Sequence, residues 1–221
     1  MRSASRPMTA PGTAAAARHE FDADAADERA RADLYGLLAA LFHEPPAPAL
    51  LASLQAATTD AALDGAFLAS GWRTLVEAAR RVDGDAIADE YAALFLGLGK
   101  PEVFLYGSFH IAGTLNQKPL VDLRDDLRRL GLERPEHVEV TEDHVASLCE
   151  VMRVLIGDGT GAADLAAQQR FFDAHLRGWV DRLFEAIVEH PRADFYRAVA
   201  AFAKDFFAVE AQAFDLLAAG S

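Results

Sequence analysis

An all-α fold is predicted by three observations. Apolar residues recur at three- and four-residue spacing along most of the chain, β-branched residues are sparse beside abundant Ala and Leu, and the periodic runs stop at Gly or Pro. With 221 residues, 52% hydrophobic and 25% charged, the chain can bury a sizeable core as one ordinary domain.

The elements follow in order. Leu34, Leu37, Leu38, Leu41 and Phe42 predict a helix from Asp27 to Phe42 that ends at Pro45-Pro46. A less regular stretch with Leu50, Leu51, Leu54, Leu63, Phe67 and Leu68 comes next, and Trp72, Leu75, Val76 and Ala79 form another stripe. After Asp83-Gly84-Asp85 the period resumes through Ile87, Tyr91, Leu94, Phe95 and Leu98, and Gly97 and Gly99 end it. From Gly97 to Pro119 periodicity is lost in a ring-rich segment that reads as one long loop, a feature that is often functional. Leu120, Leu123, Leu127 and Leu130 mark the next helix. Another runs from Thr141 through Val145, Leu148, Met152, Leu155 and Ile156 to Gly157, with Thr141 as N-cap and Glu142 and Asp143 in its first turn. A long run from Ala162 to Glu189 stops at His190-Pro191, and a last helix spans Ala193 to about Ala219. Residues 1–25, where Ala, Ser, Pro and Arg dominate and no acid precedes Glu20, read as a disordered N-terminal tail, which leaves 26–221 as a single helical domain.

Charge and cysteine usage narrow the function. A net charge of −13 excludes a broad phosphate-binding surface, so nucleic acid is a poor partner and a basic peptide a good one. Cys149 is the single cysteine, which rules out an internal disulfide or multi-cysteine metal site and fits a reducing compartment. No stretch approaches the roughly 20 apolar residues of a membrane span. A cytoplasmic protein without stable membrane insertion and without a cofactor of its own is expected.

The chemistry-bearing residues concentrate at Asp143-His144. Catalysis would need a nucleophile and an orienting partner, yet there is no Gly-x-Ser-x-Gly elbow and no phosphate-binding glycine loop. No His-x-x-x-His or Glu-x-x-His spacing surrounds His144 to suggest a metal. Helix capping explains Thr141, Glu142 and Asp143, but a cationic ring at His144 would sit unfavourably at the positive end of a helix. In the loop, Phe104, Leu105, Tyr106 and Phe109 either fill the core or line a groove for an apolar peptide. Two readings stay open: a peptide-binding protein, and a small-molecule-binding or nucleotide-hydrolysing helical protein that uses Asp143-His144.

Several stretches, in order, resemble the TorD/DmsD-like family of redox-enzyme maturation chaperones. Glu90-Tyr91-Ala92-Ala93-Leu94-Phe95 is similar to that family's Glu-Tyr-x-x-Leu-Phe helix end, and it is followed by a loop carrying Pro101, Tyr106, Gly107 and Ser108. Asp143-His144-Val145-Ala146 is similar to the Asp-His-hydrophobic motif that opens a family helix. Gln168-Gln169-Arg170-Phe171-Phe172, His175, Leu176 and Trp179 complete the set, with Phe195-Tyr196 opening the last helix. Where the family often has Glu-Pro ahead of the Asp, this chain has Val140-Thr141, with Glu139 one residue further out. The resemblance implies an all-helical, non-enzymatic chaperone that binds a molybdenum-containing oxidoreductase catalytic subunit and its twin-arginine leader, delaying export until the cofactor is inserted. It implies peptide-binding roles for Tyr91, Phe95, Phe104, Tyr106, Gly107, Ser108, Glu142, Asp143 and His144. The resemblance also carries the alternative, a small-molecule or guanine-nucleotide-binding helical protein using Asp143-His144, since some members of that family are connected with guanine nucleotides; monomer and homodimer both stay open.

Overall fold

The computed structural model describes residues 11–59, 68–97, 99–115, 117–134, 140–157 and 164–219, with side chains from residue 26 onward. Leu63, Phe67, Leu98 and Glu139 lie outside the described residues, as do residues 1–10 of the expected tail. The described residues are all-α: α1 (Pro11–His43), α2 (Pro48–Ala56), α3 (Ala69–Arg81), α4 (Gly84–Tyr91) running into a π-helical turn (Ala92–Leu96), α5 (Gly107–Ala112), α6 (Lys118–Arg129), α7 (Val145–Ile156), α8 (Leu165–His175), α9 (Val180–Val188) and α10 (Phe195–Ala219). The backbone of α1 thus reaches back into the stretch whose composition reads as a tail.

Beyond the shifted start of α1, two stretches are divided differently from the prediction. The run from Ala162 to Glu189 is two helices, because the chain turns through Leu176–Trp179 with Gly178 at the corner. The segment between Gly97 and Pro119 contains α5, whose start is set by contacts far along the chain rather than by local periodicity. Gly97 (φ 62°) is required where the π-helical turn ends: a Cβ there would lie 2.0 Å from the Lys100 carbonyl oxygen.

α1 and α7 pack side by side, and α10 packs against α9 and α3. Tyr35, Leu38, Leu41 and Phe42 of α1, Leu148, Cys149 and Met152 of α7, and Phe202, Phe206 and Phe207 of α10 share one continuous core. Tyr35 meets Phe206 edge-on with ring centroids 4.8 Å apart, and Phe184 packs between Phe42 and Phe207. Cys149 is fully buried and its thiol is pushed upward in pKa by that burial, so it behaves as a small apolar residue.

Two polar contacts set the packing of α10. Glu90, at the end of α4, accepts the backbone N–H groups of Asp194, Phe195 and Tyr196 at 2.9, 3.0 and 2.9 Å, capping α10 from a distant helix. Deeper in, Glu210 is 2% exposed and accepts both Nε and Nη2 of Arg31, at 2.9 and 2.8 Å, together with the Tyr35 hydroxyl at 3.0 Å. Arg31 also donates to Glu28 and to Gln168 of α8, so three helices share one half-buried guanidinium. Replacing Glu210 with Ala leaves Glu28 as the only carboxylate on that guanidinium among the described residues and removes the acceptor of the Tyr35 hydroxyl; Glu210→Ala is expected to lower unfolding free energy in urea by about 2 kcal/mol at unchanged m-value.

Candidate functional site

Asp143-His144 sits at a junction of two segments. Leu105 and Gly107 approach Asp143 and Val145 as an isolated antiparallel bridge: Gly107 N–H donates to the Asp143 carbonyl at 2.9 Å, and Val145 N–H donates to the Leu105 carbonyl at 2.8 Å. Asp143 is 3% exposed; its Oδ2 accepts the Ser108 N–H at 2.9 Å, and its Oδ1 accepts the Thr141 hydroxyl at 2.6 Å. Asp143 therefore caps α5 across the junction instead of sitting in the first turn of its own helix. The expected helix start at Thr141 is corrected accordingly, since α7 begins at Val145 with His144 as its N-cap.

His144 is likewise committed. The Ala146 N–H donates to its Nδ1 at 3.2 Å, which leaves the ring neutral with its hydrogen on Nε2. Burial pushes its pKa down to about 4, with nearby His43 acting in the same direction and Asp143 against it. A neutral acceptor at a helix N-terminus resolves the clash that a cationic ring would have had with the helix dipole. Tyr106 packs edge-on against this ring at 4.9 Å, and burial followed by Asp143 raises its hydroxyl pKa.

The ring-rich segment continues away from the junction. Gly107 lies close under the Trp179 ring: a Cβ would meet it at 3.1–3.3 Å, so any larger residue needs the ring to shift by a few tenths of an ångström. His110 stacks on the same Trp179 and bonds through Nε2 to the Phe104 carbonyl at 2.7 Å, and Phe104 stacks on Phe109 at 4.0 Å. Trp179 is fixed by its Nε1–H donating to the His175 carbonyl at 2.7 Å, while His175 Nε2 bonds to Asp126 of α6 at 2.8 Å. Ser108 is buried, and its hydroxyl finds no partner among the described residues. Tyr91 and Phe95 lie in the core against Tyr196, and the Tyr91 hydroxyl donates to the carbonyls of Phe42 and His43.

Beside the junction runs a groove of about 500 Å³. Its walls are Ala39, Ala40 and His43 of α1; Leu127 of α6 with Leu132, Glu133 and Arg134 after it; and Glu142 with Ala146, Ser147, Glu150, Val151 and Val154 along α7. Most of this wall is apolar, and the small side chains of Ala39, Ala40, Ala146 and Ser147 are what make the space. Of the nine residues expected to bind peptide, Glu142 lines this groove; Asp143 and His144 hold its end in place, Phe104, Tyr106, Gly107 and Ser108 lie across the junction, and Tyr91 and Phe95 are core. Glu142 bonds Arg124 through two nitrogens at 2.8 and 3.1 Å and faces Arg134 at 3.7 Å. Partial burial opposes its charge, but the Arg124 hydrogen bond prevails and its carboxyl titrates below the usual range. Sequence reasoning missed Ala39, Ala40, Ser147, Val151 and Val154; pairs of small residues on otherwise Leu-rich helices were the available signal.

Among the described residues no three His, Cys, Asp or Glu side chains converge to hold a metal, and no helix is long and apolar enough to cross a membrane. The class defined is an all-helical domain with an apolar groove bordered by Glu133, Arg134, Glu142 and Glu150. The chain belongs to the nitrate reductase delta subunit family, that of the TorD-like chaperones, whose family model matches residues 61–185. It is similar to a protein named chaperone protein TorD in Aliivibrio fischeri, 26% identical over 146 residues that cover 60% of this chain and 68% of the relative. It is also similar to chaperone protein TorD of Aliivibrio salmonicida, 24% identical over 133 residues covering 56% of this chain and 62% of the relative.

The His144 geometry sets a pH dependence. The folded chain binds this proton more weakly than the unfolded chain, whose imidazole titrates near 6.5, so the stability present above pH 6.5 is lost as pH falls toward 4. His144→Asn, which keeps an N-cap acceptor without a titratable ring, is expected to reduce the loss between pH 7 and 5 by about 2 kcal/mol in urea denaturation at each pH.

Proposed function

We propose that this chain is a non-enzymatic cytoplasmic assembly chaperone for a molybdenum-containing oxidoreductase, with residues 26–221 as the chaperone domain. It holds the catalytic subunit and takes that subunit's twin-arginine leader into the groove between α1, α6 and α7, delaying export until the cofactor is in place. The observation that carries this reading is the groove itself: apolar walls bordered by Glu133, Glu142 and Glu150, on a chain of net charge −13 that belongs to the family of proteins named TorD chaperones. A leader with a cationic head and an apolar, helix-forming middle matches it in both respects.

The magnitudes suit a transient complex. Burying about 500 Å² of apolar surface gains roughly 12 kcal/mol, against about 4–15 kcal/mol for association and ordering of the peptide. The net corresponds to micromolar affinity or weaker, which lets a chaperone release its client. Use of Asp143-His144 as a small-molecule or nucleotide site is disfavoured, because the Asp143 carboxylate and the His144 Nδ1 are consumed by internal hydrogen bonds.

Ala40 is exposed on α1 and lines the groove, so a large ring there fills the space without disturbing the core. Ala40→Trp is expected to weaken calorimetric binding of a twin-arginine leader peptide at least tenfold while leaving thermal unfolding within a few degrees of wild type. Undiminished binding, or failure of the native protein to recover a molybdenum oxidoreductase subunit from its own cells, overturns the reading.

A further inference from the structure

We propose that Glu133 receives the cationic head of the peptide that occupies the groove; this rests on the groove being the peptide site. Three glutamates border the space, and they differ in what they already hold. Glu142 is engaged by Arg124 and Arg134, and Glu150 accepts Arg153 Nε at 2.8 Å. Glu133 has no hydrogen-bond or ion-pair partner among the described residues, and it is exposed at the turn after α6, next to the apolar Leu132.

The neighbouring acid at Asp143 is unsuited to the task. It is buried, faces the Ser108 N–H and the Thr141 hydroxyl, and does not line the groove. Both Arg124 nitrogens already bond Glu142 Oε2 and Arg134 faces its Oε1, so an incoming guanidinium there would compete with two arginines. At Glu133 it forms a pair where the described residues offer none, beside Arg134 and walls that accept an apolar segment. A planar guanidinium can bond both carboxylate oxygens at once, whereas an ammonium makes a point contact, so arginine is favoured over lysine at this position. Asp143 is then a positioning residue: it fixes residues 141–144 and so the end of the groove on which Glu142 stands.

The test uses the full chain and synthetic peptides that carry Arg-Arg, Lys-Lys or Gln-Gln ahead of the same apolar stretch, with titration calorimetry at low and high salt. Glu133→Gln is expected to weaken the Arg-Arg peptide about fivefold and to leave the Gln-Gln peptide unchanged, while Glu133→Asp retains affinity within about twofold. The loss should shrink at 0.5 M salt, as an exposed pair requires. Equal losses for the Arg-Arg and Gln-Gln peptides, or no loss for either, overturn the assignment of Glu133. The Ala40→Trp variant separates the two levels: intact Arg-Arg binding in it removes the groove itself, whereas lost binding there with unaffected Glu133→Gln removes Glu133 alone.

Discussion

The buried carboxylate of Asp143 is the contact on which the arrangement of this end of the molecule depends. Two chain segments 35 residues apart meet there, and its two oxygens satisfy a backbone N–H on one side and a hydroxyl on the other. An unpaired carboxylate at this depth would be expensive, so the residue enforces both bonds at once. Through them it fixes where α5 begins, which sets Gly107 on the Trp179 ring, and where α7 begins, which sets Glu142 at the groove. The local geometry is thus over-determined from both sides.

Helical periodicity was enough to find most of the fold, because most helices bury a single apolar stripe. The stripe of Leu120, Leu123 and Leu127 and that of Leu75, Val76 and Ala79 are buried where spacing placed them. It failed where a boundary is made by tertiary contacts. Nothing local predicts α5, whose first N–H groups bond to Asp143, or the corner at Leu176–Trp179, where Leu176 and Trp179 stay buried and keep the apolar pattern running through the turn. At the site, the sequence marked Asp143 and His144 as unusual, and the structure shows why: both are ionisable groups held inside the protein. That they cap helices beside the groove rather than line it depends on which way two side chains point, and spacing carries no such information. The groove walls are hard to read because a cavity is made by what is missing: Ala39-Ala40 and Ala146-Ser147 are small pairs on otherwise apolar helices, a signal that good helix formers give equally where no groove exists.

The family motifs acquire separate physical tasks. Glu90 caps α10, Tyr91 ties the end of α1 by its hydroxyl, and Phe95 packs on Tyr196, so that stretch joins α1, α4 and α10. Gln168 bonds the Arg31 guanidinium, His175 anchors α6 through Asp126, and Trp179 supports α5. What reads in order along the chain as three signatures of one activity is largely the scaffold that keeps α1, α6 and α7 at the spacing the groove needs.

The bond between Arg31 and Glu210 joins residues 179 positions apart. At about 5–20 residues per second a ribosome needs roughly 10–35 s to make the intervening chain. Throughout that interval α1 has only its own Glu28 to pair with Arg31, and its apolar face lacks α10. A protein whose proposed task is to shield an unfinished enzyme therefore passes through a long unfinished stage of its own, and its first helix must be tolerated by the cell's general folding machinery before it can guard anything else.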